Sequence, residues 1–271
     1  MTEDKKQNEW IKKITGYFTT QELGIIIALA VIAFLTSSFG LNKVLPGGSA
    51  PGLVHAFLKL PGPGAGIFIG SAFICVWLVL GLLLIKKTGT AILMSALVMI
   101  LGLVLALAGV GNMRLDYLAL VVAIIIECAG MLPLEKKPWR FVFPSILTLM
   151  GIITLALMLT GNAKMGEDGA AATVFPLGYV VSGILILGLA VICYSYPTTK
   201  YIIGAGCAEV FYIVFCWLFN GKKGFASWLP VAPAIPALLT FAFVCGAVMA
   251  AIAYGLYQLW NTYASNGASL G

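Results

Sequence analysis

The chain is poor in the groups that most enzymes rely on. Of its 271 residues one is histidine and ten are acidic, and charged residues of both signs make up 10%. A single histidine, His55, excludes bis-histidine haem ligation and most zinc or copper chemistry. No HExxH, GxSxG or P-loop motif occurs, so the usual metalloprotease, hydrolase and nucleotide-hydrolysing sites are absent. The expectation is a protein that is not an enzyme and holds neither cofactor nor metal. Cysteine is present six times, at Cys75, Cys128, Cys193, Cys207, Cys216 and Cys245. All six fall inside apolar runs and no two have CxxC spacing, which signals small packing residues rather than a disulfide framework or a zinc site.

What the sequence does have is apolar surface. Hydrophobic residues are 61% of the chain, and the mean hydropathy is +1.03. A soluble domain carries about a quarter charged residues. The composition therefore predicts an all-α, polytopic transmembrane helix bundle. Eight runs of 17 or more mainly apolar residues fit a hydrocarbon core about 30 Å thick. They lie near 23–39, 64–85, 90–110, 117–134, 141–160, 174–194, 201–219 and 235–260. Residues 23–260 then form one membrane domain, 261–271 a short tail, and 1–22 a cytoplasmic amphipathic segment. In that segment Trp10, Ile11, Ile14, Tyr17 and Phe18 share a helical face suited to the lipid surface.

The formal net charge is +6, yet the lysines sit in pairs beside apolar runs, as topology signals do, and form no patch for nucleic acid. With the N-terminus inside, ten Lys and Arg residues fall on the cytoplasmic side and six on the other. This predicts a multi-pass protein of the cell membrane with both termini in the cytoplasm. The Gly- and Pro-rich connection 40–62 carries His55 and is long enough to act as a lid over the bundle mouth. Small residues four apart on the last run, Ala242, Gly246 and Ala250, allow close helix approach.

Two carboxylates interrupt the apolar runs. Glu127 lies in LALVVAIIIECAGMLP and Glu209 in YIIGAGCAEVFYIVFCWLF. An acidic residue at the centre of a membrane helix costs roughly 2.5 to 3.5 kcal/mol on insertion scales and usually faces a bundle interior or wet cavity. The candidate site is a cavity shared by Glu127 and Glu209, with Trp77, Tyr212 and Asn112 as polar or aromatic walls, for a small cationic or multiply hydrogen-bonded solute. The bland alternative is that each carboxyl is neutral and bridges helices.

Three stretches resemble the substrate-binding subunits of energy-coupling-factor vitamin transporters, most closely the thiamin/hydroxymethylpyrimidine permease type. They are IKKTGTAILMSALVMILGLV, ALVVAIIIECAGMLP, and AEVFYIVFCWLFNGKKG followed by PAIPALLTFAFVCGAVMAAIAYGL. The resemblance implies capture of a vitamin or precursor, closure of the 40–62 loop, and hand-over to a coupling membrane subunit driven by two ATPases. It implies ligand contact for Glu127; the same role for Glu209 rests on its depth in the run. Such subunits usually have six spans, so two of the eight, near 141–194, look inserted. Their alanine-based docking pattern on the first span is only approximated here, by Ala28, Ala30 and Ala33. Two other classes stay open: a proton- or sodium-coupled secondary transporter using Glu127 and Glu209, and a structural subunit of a larger membrane complex.

Overall fold

The computed structural model describes residues 17–37, 62–109, 117–132, 136, 139–159, 180, 183–192, 200–219 and 235–268. Among these the chain is entirely helical. The helices are α1 Thr20–Thr36, α2 Gly62–Ile85, α3 Thr90–Leu107, α4 Leu118–Gly130, α5 Trp139–Leu159, α6 Gly183–Ile192, α7 Lys200–Phe219 and α8 Ile235–Ala268. Each apolar run in the sequence overlaps one of them. Two stretches, Thr90–Leu107 and Leu239–Tyr263, are long and apolar enough to cross a membrane. Residues 1–16, all of the proposed lid 40–62 except its last residue and including His55, and Asn112 lie outside the described residues.

Local signals account for most helix ends. α1 starts in a capping box: the Glu22 amide donates to Thr19 Oγ1 at 3.2 Å and the Thr19 amide to Glu22 Oε2 at 2.7 Å. α4 ends at Gly130, before the Leu132-Pro133 step that disfavours helix. α8 departs from expectation by running to Ala268, through the segment assigned to a tail. No Gly or Pro stands between Leu256 and Asn266 to stop it, and the Thr262 hydroxyl donates to the Gln258 carbonyl within it.

The helices assemble in two groups. α1, α2, α3, α4, α7 and α8 share one core, built from residues such as Ile26, Ile74, Leu78, Met94, Ile126, Ala205 and Ala250. α1 lies on α2 and α3, α4 lies on α7, and α8 covers both α7 and α2. A second, smaller cluster joins α5 and α6 to the flanks of α7 and α8 through Leu147, Ile186, Ile203 and Phe243. Thr154 on α5 and Thr240 on α8 are also joined by a buried hydrogen bond of 2.8 Å. The pair near 141–194 thus packs against α7 and α8 in a cluster that those two helices share.

Close approach between α7 and α8 depends on a missing side chain. A Cβ at Gly246 would lie 2.3 Å from the Ala205 carbonyl oxygen and 3.1 Å from Glu209 Cβ. Only glycine lets the two backbones meet there.

Candidate functional site

The turn between α2 and α3, Lys86-Lys87-Thr88-Gly89, ties one end of the bundle together. Lys86 closes α2 in the left-handed region at φ +56°, and Gly89 enters α3 at φ +87°. Lacking a side chain, Gly89 cannot cap the helix that it precedes. Glu127 does so from α4. Its Oε2 accepts from the Gly89 amide at 2.7 Å, and its Oε1 from the Ala91 and Ile92 amides at 2.7 and 3.2 Å. These are the groups that a helix N-terminus leaves without intrahelical partners, and a carboxylate there also meets the positive end of the helix dipole. Glu127 is 5% exposed. Both its oxygens are engaged by the backbone.

Beside this cap, Lys87 donates from Nζ to Glu22 Oε2 and to the Tyr17 carbonyl, each at 2.7 Å. Tyr17 and Thr88 join their hydroxyls at 3.1 Å, and the Thr90 hydroxyl donates to the Lys87 carbonyl at 2.7 Å. The start of α1, the α2–α3 turn and the end of α4 therefore form one polar knot. The Lys87 ammonium, with help from the Thr19 amide, holds the Glu22 carboxyl below the usual carboxylate range.

Glu209 has a different environment. It is fully buried on α7, and the Ser71 hydroxyl of α2 donates to its Oε1. Its Oε2 has no hydrogen-bond partner among the described residues. Gly246 of α8 stands against its Cβ. A cavity of about 90 Å³ touches Glu127 and Tyr201, the second residue of α7, and Glu209 is not among its lining residues. Glu209 lies eight residues further along that helix, about 12 Å at 1.5 Å per residue. The two carboxylates expected to share a cavity thus sit at different levels with different partners.

Of the other candidate residues, Trp77 donates its indole N–H to Thr36 Oγ1 at 2.7 Å, which links α2 to the end of α1. Tyr212 is buried in the main core one turn beyond Glu209. On α1, Ala30 and Ala33 are buried against the bundle and Ala28 is exposed. The two inward alanines are unavailable for docking a partner on that helix. Its outer face presents Ile27, Ala28, Val31 and Leu35 instead.

Sequence reasoning missed Ser71 as the partner of Glu209, because one serine in an apolar run carries no sign of its facing residue. It also missed the Lys87–Glu22 bridge, whose partners stand 65 residues apart. The signal for the Glu127 cap was present in part: a glycine before a helical run leaves the helix start without a side-chain acceptor.

An open groove of about 380 Å³ runs along α5 beside Phe141, Pro144, Thr148 and Ile152. Its lining residues all belong to that one helix and include none of the candidate residues. Among the described residues, no three His, Cys, Asp or Glu side chains gather as metal ligands would. No protein-family model matches the chain, nor does any curated protein or solved structure.

Proposed function

We propose that the chain is a multi-pass membrane protein that binds a small cationic or aminopyrimidine-like solute, as the substrate-binding subunit of an energy-coupling-factor importer. The observation that carries this reading is Glu209: a carboxyl sealed in the main core, with one oxygen held by Ser71 and the other unmatched. A buried polar atom without a partner costs about 1–3 kcal/mol. Such an atom, kept in a bundle otherwise lined by Ala, Gly and aliphatic side chains, is accounted for by a solute that supplies the missing donor or positive charge.

Two further observations support the family reading. The basic turn and the fourth apolar run, two of the stretches that carry the resemblance, are joined by the three hydrogen bonds of Glu127. Six helices share one core while α5 and α6 add to its α7–α8 flank through a smaller cluster, which is compatible with a six-span unit and an inserted pair. Solute contact passes from Glu127 to Glu209 in this reading, since Glu127 has its oxygens filled. The N-terminus is placed in the cytoplasm, on the side of Lys86 and Lys87; the coupling subunit and the two ATPases act in trans.

The test is thermal stabilisation of the purified full chain in detergent by thiamin, hydroxymethylpyrimidine and simple cations. A solute at 100 times its dissociation constant adds about 2.7 kcal/mol. A vitamin or precursor that raises the midpoint of the wild type and of Glu127→Gln, but not of Glu209→Gln, supports the reading. A shift that survives Glu209→Gln overturns it. The second reading, an ion-coupled transporter, draws on the single unmatched oxygen, which suits one proton or one small cation. Under it, uptake follows an ion gradient and not ATP.

A further inference from the structure

The cavity of about 90 Å³ at the α2–α3 turn has no part in solute capture as proposed above. Its size is about that of three waters at roughly 30 Å³ each, well below the roughly 300 Å³ at which pockets for whole small molecules begin. Its polar walls are Lys86, Lys87, Thr88, Glu127 and Tyr201. We infer that this cavity is a phosphate site, filled by the headgroup phosphate of an anionic phospholipid in the leaflet at this end of the bundle.

The argument runs from charge and geometry. Glu22 is paired with Lys87, and both oxygens of Glu127 are occupied by three backbone amides. Lys86 and Lys200 lie outside these contacts, two ammonium groups against the one carboxylate here that has no lysine partner. The Lys86 ammonium lies 6.0 Å from the centre of the Tyr257 ring, and the Lys200 ammonium 5.5 Å from that of Tyr201. Aromatic rings hold a lysine in place without cancelling its charge. Tyr201 also belongs to the first turn of α7, so the positive end of that helix dipole faces the same space.

Backbone strain points to the same residue. Lys86 adopts φ +56°, where glycine or asparagine would be at ease and a lysine is strained. Residues held in such conformations cluster at functional sites. The strained residue lines a cavity just large enough for a tetrahedral oxyanion. Basic pockets between helices on the cytoplasmic side are where anionic lipid headgroups bind. A lipid is already concentrated in its leaflet, which favours it over phosphate from solution.

The inference shares with the proposed function only the premise of a bilayer, and its test uses neither vitamins nor Glu209. The full chain is purified in a neutral detergent, and its thermal midpoint is followed with added phosphatidylglycerol, phosphatidylcholine or inorganic phosphate. Phosphatidylglycerol is expected to raise the wild-type midpoint by several degrees more than phosphatidylcholine, with one lipid retained per chain in native mass spectrometry. Lys86→Gln with Lys200→Gln removes that excess, and Lys86→Arg keeps it. Lys86→Gly relieves the strain, so it folds at least as stably, and it too loses part of the excess. A response to inorganic phosphate as large as that to the lipid shows the phosphate group itself to be recognised, from either source. No excess for phosphatidylglycerol in the wild type, or an excess untouched in the double variant, overturns the inference.

Discussion

The Ala91 amide donates to Glu127 Oε1 at 2.7 Å, so that α4 supplies the cap that α3 cannot make for itself. Glu127→Ala leaves three amides at the head of α3 without an acceptor. The expected loss is about 2–3 kcal/mol, from the usual cost of a lost cap and of unpaired buried donors. Glu127→Gln keeps one oxygen for Ala91 and Ile92 but turns an amide group toward the Gly89 N–H, and should lose about 1 kcal/mol. Denaturant titration in mixed micelles measures both. If Glu127→Ala unfolds at the same midpoint as the wild type, the cap is not a structural element.

At the same end, the Lys87–Glu22 bridge predicts a pH dependence with a definite sign. The folded Glu22 carboxyl is held below its ordinary value, chiefly by hydrogen bonding to Lys87. Its contribution is therefore present above the ordinary glutamate range, near pH 4.3, and is lost as pH falls through the lower folded value. Thermal midpoints measured downward from pH 6 should fall, and Glu22→Gln should flatten that part of the curve. The bridge is partly exposed, so high salt should reduce the difference.

Glu209 separates stability from function. Burying a carboxyl with an unmatched oxygen is unfavourable, and apolar replacements of buried ionisable groups are often neutral or stabilising. Glu209→Leu should therefore fold with a midpoint no lower than the wild type while losing all solute response. Ser71→Ala removes the donor to Oε1 and should weaken the solute response without abolishing it. A Glu209→Leu protein that misfolds would make this carboxyl a structural bridge instead.

Much of this arrangement was legible in the sequence, and what was not has a physical reason. Apolar length located the eight helices among the described residues, because a run such as Thr90–Leu107 has no proline and a single glycine, Gly102, to interrupt it. It did not show how far α8 runs, since hydropathy reports the apolar stretch and not where a helix ends. The two acidic residues stood out in their runs, but depth in a run says nothing about what faces a side chain. Glu127 lies in the fourth run yet touches the start of the third, and Glu209 meets a serine 138 residues away. Those partners are set by how helices pack, and helix adjacency is not encoded in one chain's periodicity.

The packing of α7 on α8 offers the sharpest contrast between two glycines of one helix. At Gly246 an added Cβ would sit 2.3 Å from the Ala205 carbonyl oxygen and 2.7 Å from its carbon, and that backbone has no rotamer by which to yield. Gly246→Ala must push α7 and α8 apart, which should cost about 1–3 kcal/mol as overpacking does. It should also disturb Glu209, whose Cβ would be 3.1 Å away. At Gly255 nothing lies within 4 Å of the added atom. Gly255→Ala should be neutral, or stabilising by up to about 0.5–1 kcal/mol through helix propensity. Both variants add the same methyl group to the same helix, so lipid contact and expression are matched as closely as two variants allow. Equal midpoints for the pair would mean that α7 and α8 do not meet at Ala205 and Gly246, and the buried surroundings assigned to Glu209 would fall with that contact.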